Sequence, residues 1–187
     1  VDGIYVKAGL EREKGCLLVA LAGLSNGKKV FLAIESGYRE SKESWSTLLR
    51  DLKQRGLQPP RLVIGDGALG IWAALSEVFP FSGQQRCWNH RKINILNQIP
   101  DKAQSQAIEL LKTITNADSC KAALKARSLF QDWATSKGYQ KAAELIAHDW
   151  NRMIAYFNFP KEHWNHLKTT HPIKSPLASA RLRTEPA

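Results

Sequence analysis

The sequence predicts a mixed α/β protein, and three observations carry the prediction. Three short apolar runs separated by turn residues open the chain, a helix, a strand and a second helix follow, and from residue 91 to about residue 166 the pattern is helical. The strand signals obey a period of two and the helix signals a period of 3.6, so the two classes separate cleanly.

Ile4 and Val6 alternate with polar neighbours, while Cys16 to Ala22 and Val30 to Ile34 are near-continuous apolar runs. Turn chemistry at Glu13-Lys-Gly15 and Ser25-Asn-Gly27 joins them into a three-stranded meander with the second strand central and the third nearer an edge. Trp45, Leu48, Leu49 and Leu52 fall on one helical face, with Ser41 as the cap and Gly56 as the stop. Arg61 to Ile64 reads as a short buried strand ending at Gly65-Asp66-Gly67, and Ile71, Trp72, Leu75 and Val78 mark a second helix that stops before Pro80. A strand, helix and strand in one sheet run parallel with a right-handed crossover. Asp66 can therefore lie beside the first strand, although 66 − 2 = 64 positions separate it from Asp2.

Ile108, Leu111 and Ile114, and then Ala122, Leu124, Leu129, Phe130 and Trp133, keep helical spacing and predict three to five helices. The expected organisation is a core over residues 1–90, a helical insertion over 91–166 with a small core of its own, and a final core segment over 167–187.

Charge narrows the function. Lys and Arg number 27 against 17 Asp and Glu, a net charge of +10 with a pI near 9.7, spread along all 187 residues. Such a surface suits a polyanion such as DNA, RNA or an anionic membrane surface, with a merely basic soluble protein as the alternative. Arg91, Lys92, Arg181 and Arg183 are the expected phosphate contacts. Trp164 has two readings, a core aromatic or a ring that stacks on a base. No apolar run is long enough to span a bilayer and no basic-then-apolar leader opens the chain, so no membrane role and a cytoplasmic location are expected. Cys16, Cys87 and Cys120 are odd in number and widely spaced, which argues against a disulfide framework. A strand beginning at Val1 reads as part of a longer protein.

Single residues carry little chemistry by themselves. Asp2 and Asp66 each suit a turn or an end of the chain as well as a catalytic site. Cys87 and His90 have the spacing of one zinc edge, but zinc takes four ligands and no second cysteine pair is present, so a buried cysteine behind a hydrogen-bonded histidine stands beside the zinc reading.

Taken in order, the motifs are more specific. Asp2-Gly-Ile-Tyr-Val-Lys7, Gly37-Tyr-Arg-Glu-Ser-Lys-Glu-Ser-Trp45, Leu52-Lys-Gln-Arg-Gly56, Gly65-Asp-Gly-Ala-Leu-Gly70, Phe79-Pro80, Gln85-Arg-Cys-Trp-Asn-His-Arg91, Phe159-Pro160, Thr169-Thr-His-Pro-Ile-Lys-Ser-Pro176 and Arg181-Leu-Arg-Thr184 resemble the catalytic domain of Mutator-type bacterial insertion-sequence transposases. The resemblance covers essentially the whole chain. It implies an RNase H-like mixed sheet flanked by helices, with a large all-helical insertion before the last catalytic helix. It also implies an Asp-Asp-Glu triad holding two magnesium or manganese ions for cutting and joining DNA, and it allows a homodimer. Asp2 and Asp66 match the first two acids, and Cys87 and His90 match the family's Cys-x-x-His signature.

The third position departs from the pattern. Where the resemblance implies Thr-Thr-Asn-x-Ile-Glu, this chain has His171 for Asn and Lys174 for Glu, 174 − 66 = 108 positions after the second acid. Two metals about 3.5–4 Å apart need carboxylate oxygens around them. An ammonium about 5 Å from a dication costs roughly 7 kcal/mol at an effective dielectric of about 20. The expectation is a truncated and catalytically impaired transposase domain, with a non-enzymatic DNA-binding or oligomerisation module as the alternative.

Overall fold

The apolar runs of the first third form β1 (Asp2–Lys7), β2 (Lys14–Gly23) and β3 (Lys29–Gly37), an antiparallel sheet in the order β1-β2-β3. The computed structural model describes residues 1–7, 14–24, 26–37, 40–67 and 69–170. These divide into two compact units, Val1–Gln84 with Thr170, and Gln85–Thr169.

In the first unit β2 is central, and its register pairs Asp2 with Val19, Gly3 with Leu18 and Val19 with Ile34. Cys16, Leu18 and Ala20 are buried in a core shared with α1 (Lys42–Gln54) and α2 (Leu69–Val78). Because side chains alternate along a strand, Val19 and its neighbour Asp2 face away from that core. β3 is an edge, and Val30, Phe31 and Ile34 are exposed along it.

α1 starts and stops where its sequence dictates. The Ser41 hydroxyl accepts the Ser44 amide at 3.1 Å, satisfying a first-turn donor. At the other end Gly56 has φ +94°, the Gly56 amide donates to Lys53 and the Leu57 amide donates to Leu52. This is a Schellman closure, which favours glycine at the left-handed position and packs Leu57 with Leu52 in the core. Trp45, Leu48, Leu49 and Leu52 lie on the buried face.

The strand after α1 is β4 (Leu62–Gly65), one residue displaced from the sequence expectation. It pairs with β5 (Gly83–Arg86), beginning with the Gly83 amide on the Arg61 carbonyl at 3.1 Å. A single mixed sheet was the expectation; the hydrogen-bond pairing gives one three-stranded and one two-stranded sheet. The Val1 amino group donates to the Ile64 carbonyl at 2.8 Å.

The second unit is helical: α3 (Trp88–Leu96), α4 (Asp101–Thr115), α5 (Cys120–Ser136), α6 (Gln140–Ala147), α7 (Trp150–Met153) and α8 (Trp164–Leu167). Its core gathers Trp88, Ile95, Leu111, Ile114, Phe130, Ile146, Met153 and Tyr156. Three to five helices were expected; α7 and α8 are single turns, shorter than any window in which periodicity can be read. Gln85 is fully buried, yet it is satisfied: its amide nitrogen donates to Met153 at 3.0 Å and its oxygen accepts the Tyr156 amide at 2.9 Å.

Gly70 supplies a test of the first unit. A Cβ there would stand 2.6 Å from the Glu40 carbonyl oxygen and 2.7 Å from the Ser41 carbonyl carbon, backbone atoms that no rotamer change can move aside. Helix propensity alone would make Gly70→Ala stabilising by about 1 kcal/mol. The predicted outcome of urea unfolding is the opposite sign, a loss of about 2 kcal/mol.

Candidate catalytic carboxylates and the basic helical unit

Two features of the first unit set the start of β1 beside the end of β4. The Val1 amino group bonds to the carbonyl of Ile64, and a Cβ at Gly65 would lie 3.5 Å from Val1 Cγ2 and 3.2 Å from the Trp72 ring. In parallel pairing, an N–H bonded to the carbonyl of one residue lies opposite the next residue. Val1 is thereby set against Gly65, and the same register carried one residue further would set Asp2 against Asp66. Val63 belongs to the core and Gly65 meets Trp72, so alternation assigns Ile64, and Asp66 one step beyond the strand, to the opposite side. Asp2 faces that side as well.

Asp2 is 4% exposed and Asp66 is half-buried. Gly67 follows with φ +97°, a conformation that turns the chain sharply toward α2 and is open to glycine at little cost. A third acid enters here that the motif reading left without a role. The Glu40 carboxyl occupies the place a Cβ would take at Gly3, the residue after Asp2, and its backbone abuts Gly70. The signal was present in Gly37-Tyr-Arg-Glu-Ser, but an acid between a strand and a helix cap reads first as loop. Among the described residues no three His, Cys, Asp or Glu side chains gather closely enough to hold a metal ion. Lys174 and His171 lie outside the described residues.

Cys87 and His90 belong to the helical unit. Cys87 is the buried N-cap residue of α3 and His90 is half-buried in its first turn, three positions on and so on the same side of the helix.

The cations assigned to DNA divide by burial. Arg91 is 1% exposed; its guanidinium donates to the His148 carbonyl at 3.1 Å and stands 3.6 Å from the Asp149 carboxylate. Burial, and then repulsion from Arg86, push it down to about 10, with Asp149 opposing. It holds the unit together and offers no surface to a phosphate. Lys92 is half-buried, with its ammonium 3.4 Å from the Thr115 hydroxyl. Trp164 donates to the Phe159 carbonyl at 2.7 Å and packs edge-on against Tyr156 and Phe157, so its ring belongs to the core. Arg181 and Arg183 lie outside the described residues.

Asp149 is the hub of this unit. Its backbone has φ 58°, and its carboxylate meets Arg86 at 2.7 Å, His148 at 3.0 Å and Arg152 at 3.1 Å. Burial raises its pKa, but His148, Arg152 and Arg86 together outweigh burial and hold it below the ordinary carboxylate value. A depressed folded-state pKa contributes stability above the unfolded value, about 3.9, and loses it as pH falls through the folded one. Asp149→Asn is predicted to lower stability at neutral pH by about 2 kcal/mol, between an exposed and a buried pair. Acid unfolding of this variant should also lose part of the wild-type dependence below about pH 4.

Comparison with known proteins agrees with the motif order. The sequence profile described as "Transposase, Mutator family" matches residues 1–185. The chain is 46% identical over 186 residues to the transposase for insertion sequence element IS6120 of Mycolicibacterium smegmatis, covering 99% of this chain and 57% of that protein. It is 46% identical to the transposase for insertion sequence element IST2 of Acidithiobacillus ferrooxidans, over 90% of this chain and 57% of that one. It is 31% identical to the transposase for insertion sequence element IS256 in transposon Tn4001 of Staphylococcus aureus, over 97% of this chain and 47% of that one. The chain thus spans about half the length of the curated relatives it matches. Among the described residues no helix is long and apolar enough to cross a membrane.

Proposed function

Because the chain belongs to the Mutator family of transposases, we propose that it is the catalytic domain of an Asp-Asp-Glu insertion-sequence transposase, weakened by Lys174. The proposal includes an RNase H-like arrangement in which β1 and β4 supply the carboxylates and the helical unit is an insertion before the last catalytic segment. The observation that supports it is the bond from Val1 to the Ile64 carbonyl, which puts the start of β1 beside the strand that leads into Asp66.

The donor chemistry fits magnesium or manganese. Both cations prefer hard oxygen ligands, and Asp2 and Asp66 would supply carboxylate oxygens. When bound, two such ions would activate an attacking oxygen and stabilise the leaving one in phosphoryl transfer on DNA. The chain's own residues orient the acids: Gly65 admits Val1 beside it, and Gly67 turns the backbone after Asp66. Glu40 adds negative charge against Gly3.

In the family pattern the position of the third acid is held here by Lys174. An ammonium in place of a carboxylate removes one ligand and repels the metal, which favours a second reading, a DNA-binding module that no longer cuts. Magnesium calorimetry separates the two. Wild type should bind weakly, Lys174→Glu should bind at least tenfold more tightly, and adding Asp66→Asn to that variant should remove the gain. Equal affinity in all three would exclude the Asp-Asp-Glu reading, while restored binding without cleavage of an element end would favour the binding module.

A further inference from the structure

We propose that Lys92 and Lys168 together form a clamp for one backbone phosphate of DNA on the helical unit. The proposal rests on the DNA reading above and adds the contact point.

The two ammonium groups arrive from different elements at one residue. Lys92 lies on α3, and its Nζ is 3.4 Å from the Thr115 hydroxyl; Lys168 follows α8, and its Nζ donates to the Thr115 carbonyl at 2.6 Å. The backbone fixes the convergence. The Trp88 amide, at the start of α3, donates to the Lys168 carbonyl at 2.9 Å, and Lys92 is four positions along α3 on the same side as Trp88.

Two like charges so placed call for an anion. Among the described residues no carboxylate forms an ion pair with either lysine, and the nearby Lys112 is already paired with Glu109 at 2.7 Å. Both lysines are half-buried residues. What they hold is a hydroxyl and the last carbonyl of α4, a helix C-terminus with only partial negative charge. Burial, then Lys112, lowers the Lys92 pKa; burial, then Lys92, lowers that of Lys168. A phosphate oxygen supplies the missing negative charge to both, and lysine meets phosphate as a point charge without bidentate geometry. Lys168 also stands 5.1 Å over the Tyr156 ring, which limits where its ammonium can move.

Salt dependence counts phosphates, so it can test for a shared one. In duplex binding by fluorescence anisotropy, the log–log slope falls by about 0.9 for each phosphate that is no longer neutralised. Lys92→Gln and Lys168→Gln should each flatten the slope by about that amount, and the double variant should be no flatter than either single one. Lys125→Gln, exposed on α5, should match wild type, and Lys92→Arg should keep the wild-type slope. If Lys168→Gln melts below the assay temperature, Lys92→Gln alone decides, because its ammonium caps no helix. Unchanged slopes, or an equal effect from Lys125→Gln, would overturn the clamp and leave the DNA reading standing. A double variant flattened twice as much would mean two separate phosphates and would overturn the shared clamp. Absence of wild-type binding would overturn both.

Discussion

The bond from the Val1 amino group to the Ile64 carbonyl spans 63 positions of sequence, and the arrangement of the carboxylates depends on it. It sets the start of β1 beside the end of β4, and the proposed pairing of Asp2 with Asp66 is argued from that placement. Trp72 closes over Gly65 from the core side, so the two aspartates are left on the other. Packing beneath them is dense. Gly70 lets α2 touch the Glu40–Lys42 backbone, and the Ser41 cap and Gly56 closure fix the length of α1 between two rigid ends.

Electrostatics divides the molecule's labour. In the first unit Asp2 is a buried carboxylate at the start of β1. In the helical unit one carboxylate, Asp149, gathers Arg86, Arg91, Arg152 and His148, and a buried guanidinium is tolerable because that carboxylate and the His148 carbonyl meet it. Among the described residues neither Lys92 nor Lys168 is paired with a carboxylate, and that contrast sets them apart from the arginines gathered at Asp149.

Much of this was legible in the chain itself. α1 could be read because Ser41, a four-residue apolar stripe and Gly56 all name the same helix, and the meander because turn residues punctuate its strands. The crossover rule predicted β1 and β4 in one sheet, whereas the pairing places them in two, because β4 takes β5 as its hydrogen-bonded neighbour. β5 could not be read: its sequence Gly-Gln-Gln-Arg lacks apolar alternation, and Gln85 is buried only because Met153 and Tyr156, 68 and 71 positions away, complete its hydrogen bonds. Arg91 failed as a surface cation for the same kind of reason, since its partner Asp149 is distant in sequence and composition does not record burial. Glu40 was hidden by its position in a loop, where only the missing side chain of Gly3 gives it room.

The central claim is that Asp2 and Asp66 serve one metal site, and a double-mutant cycle on manganese affinity tests it most directly. Free manganese is followed by electron paramagnetic resonance in Lys174→Glu protein carrying Asp2→Asn, Asp66→Asn or both. A shared site predicts strong non-additivity, the double variant binding about as weakly as either single one. Additive losses, or manganese binding indifferent to both substitutions, would contradict the account.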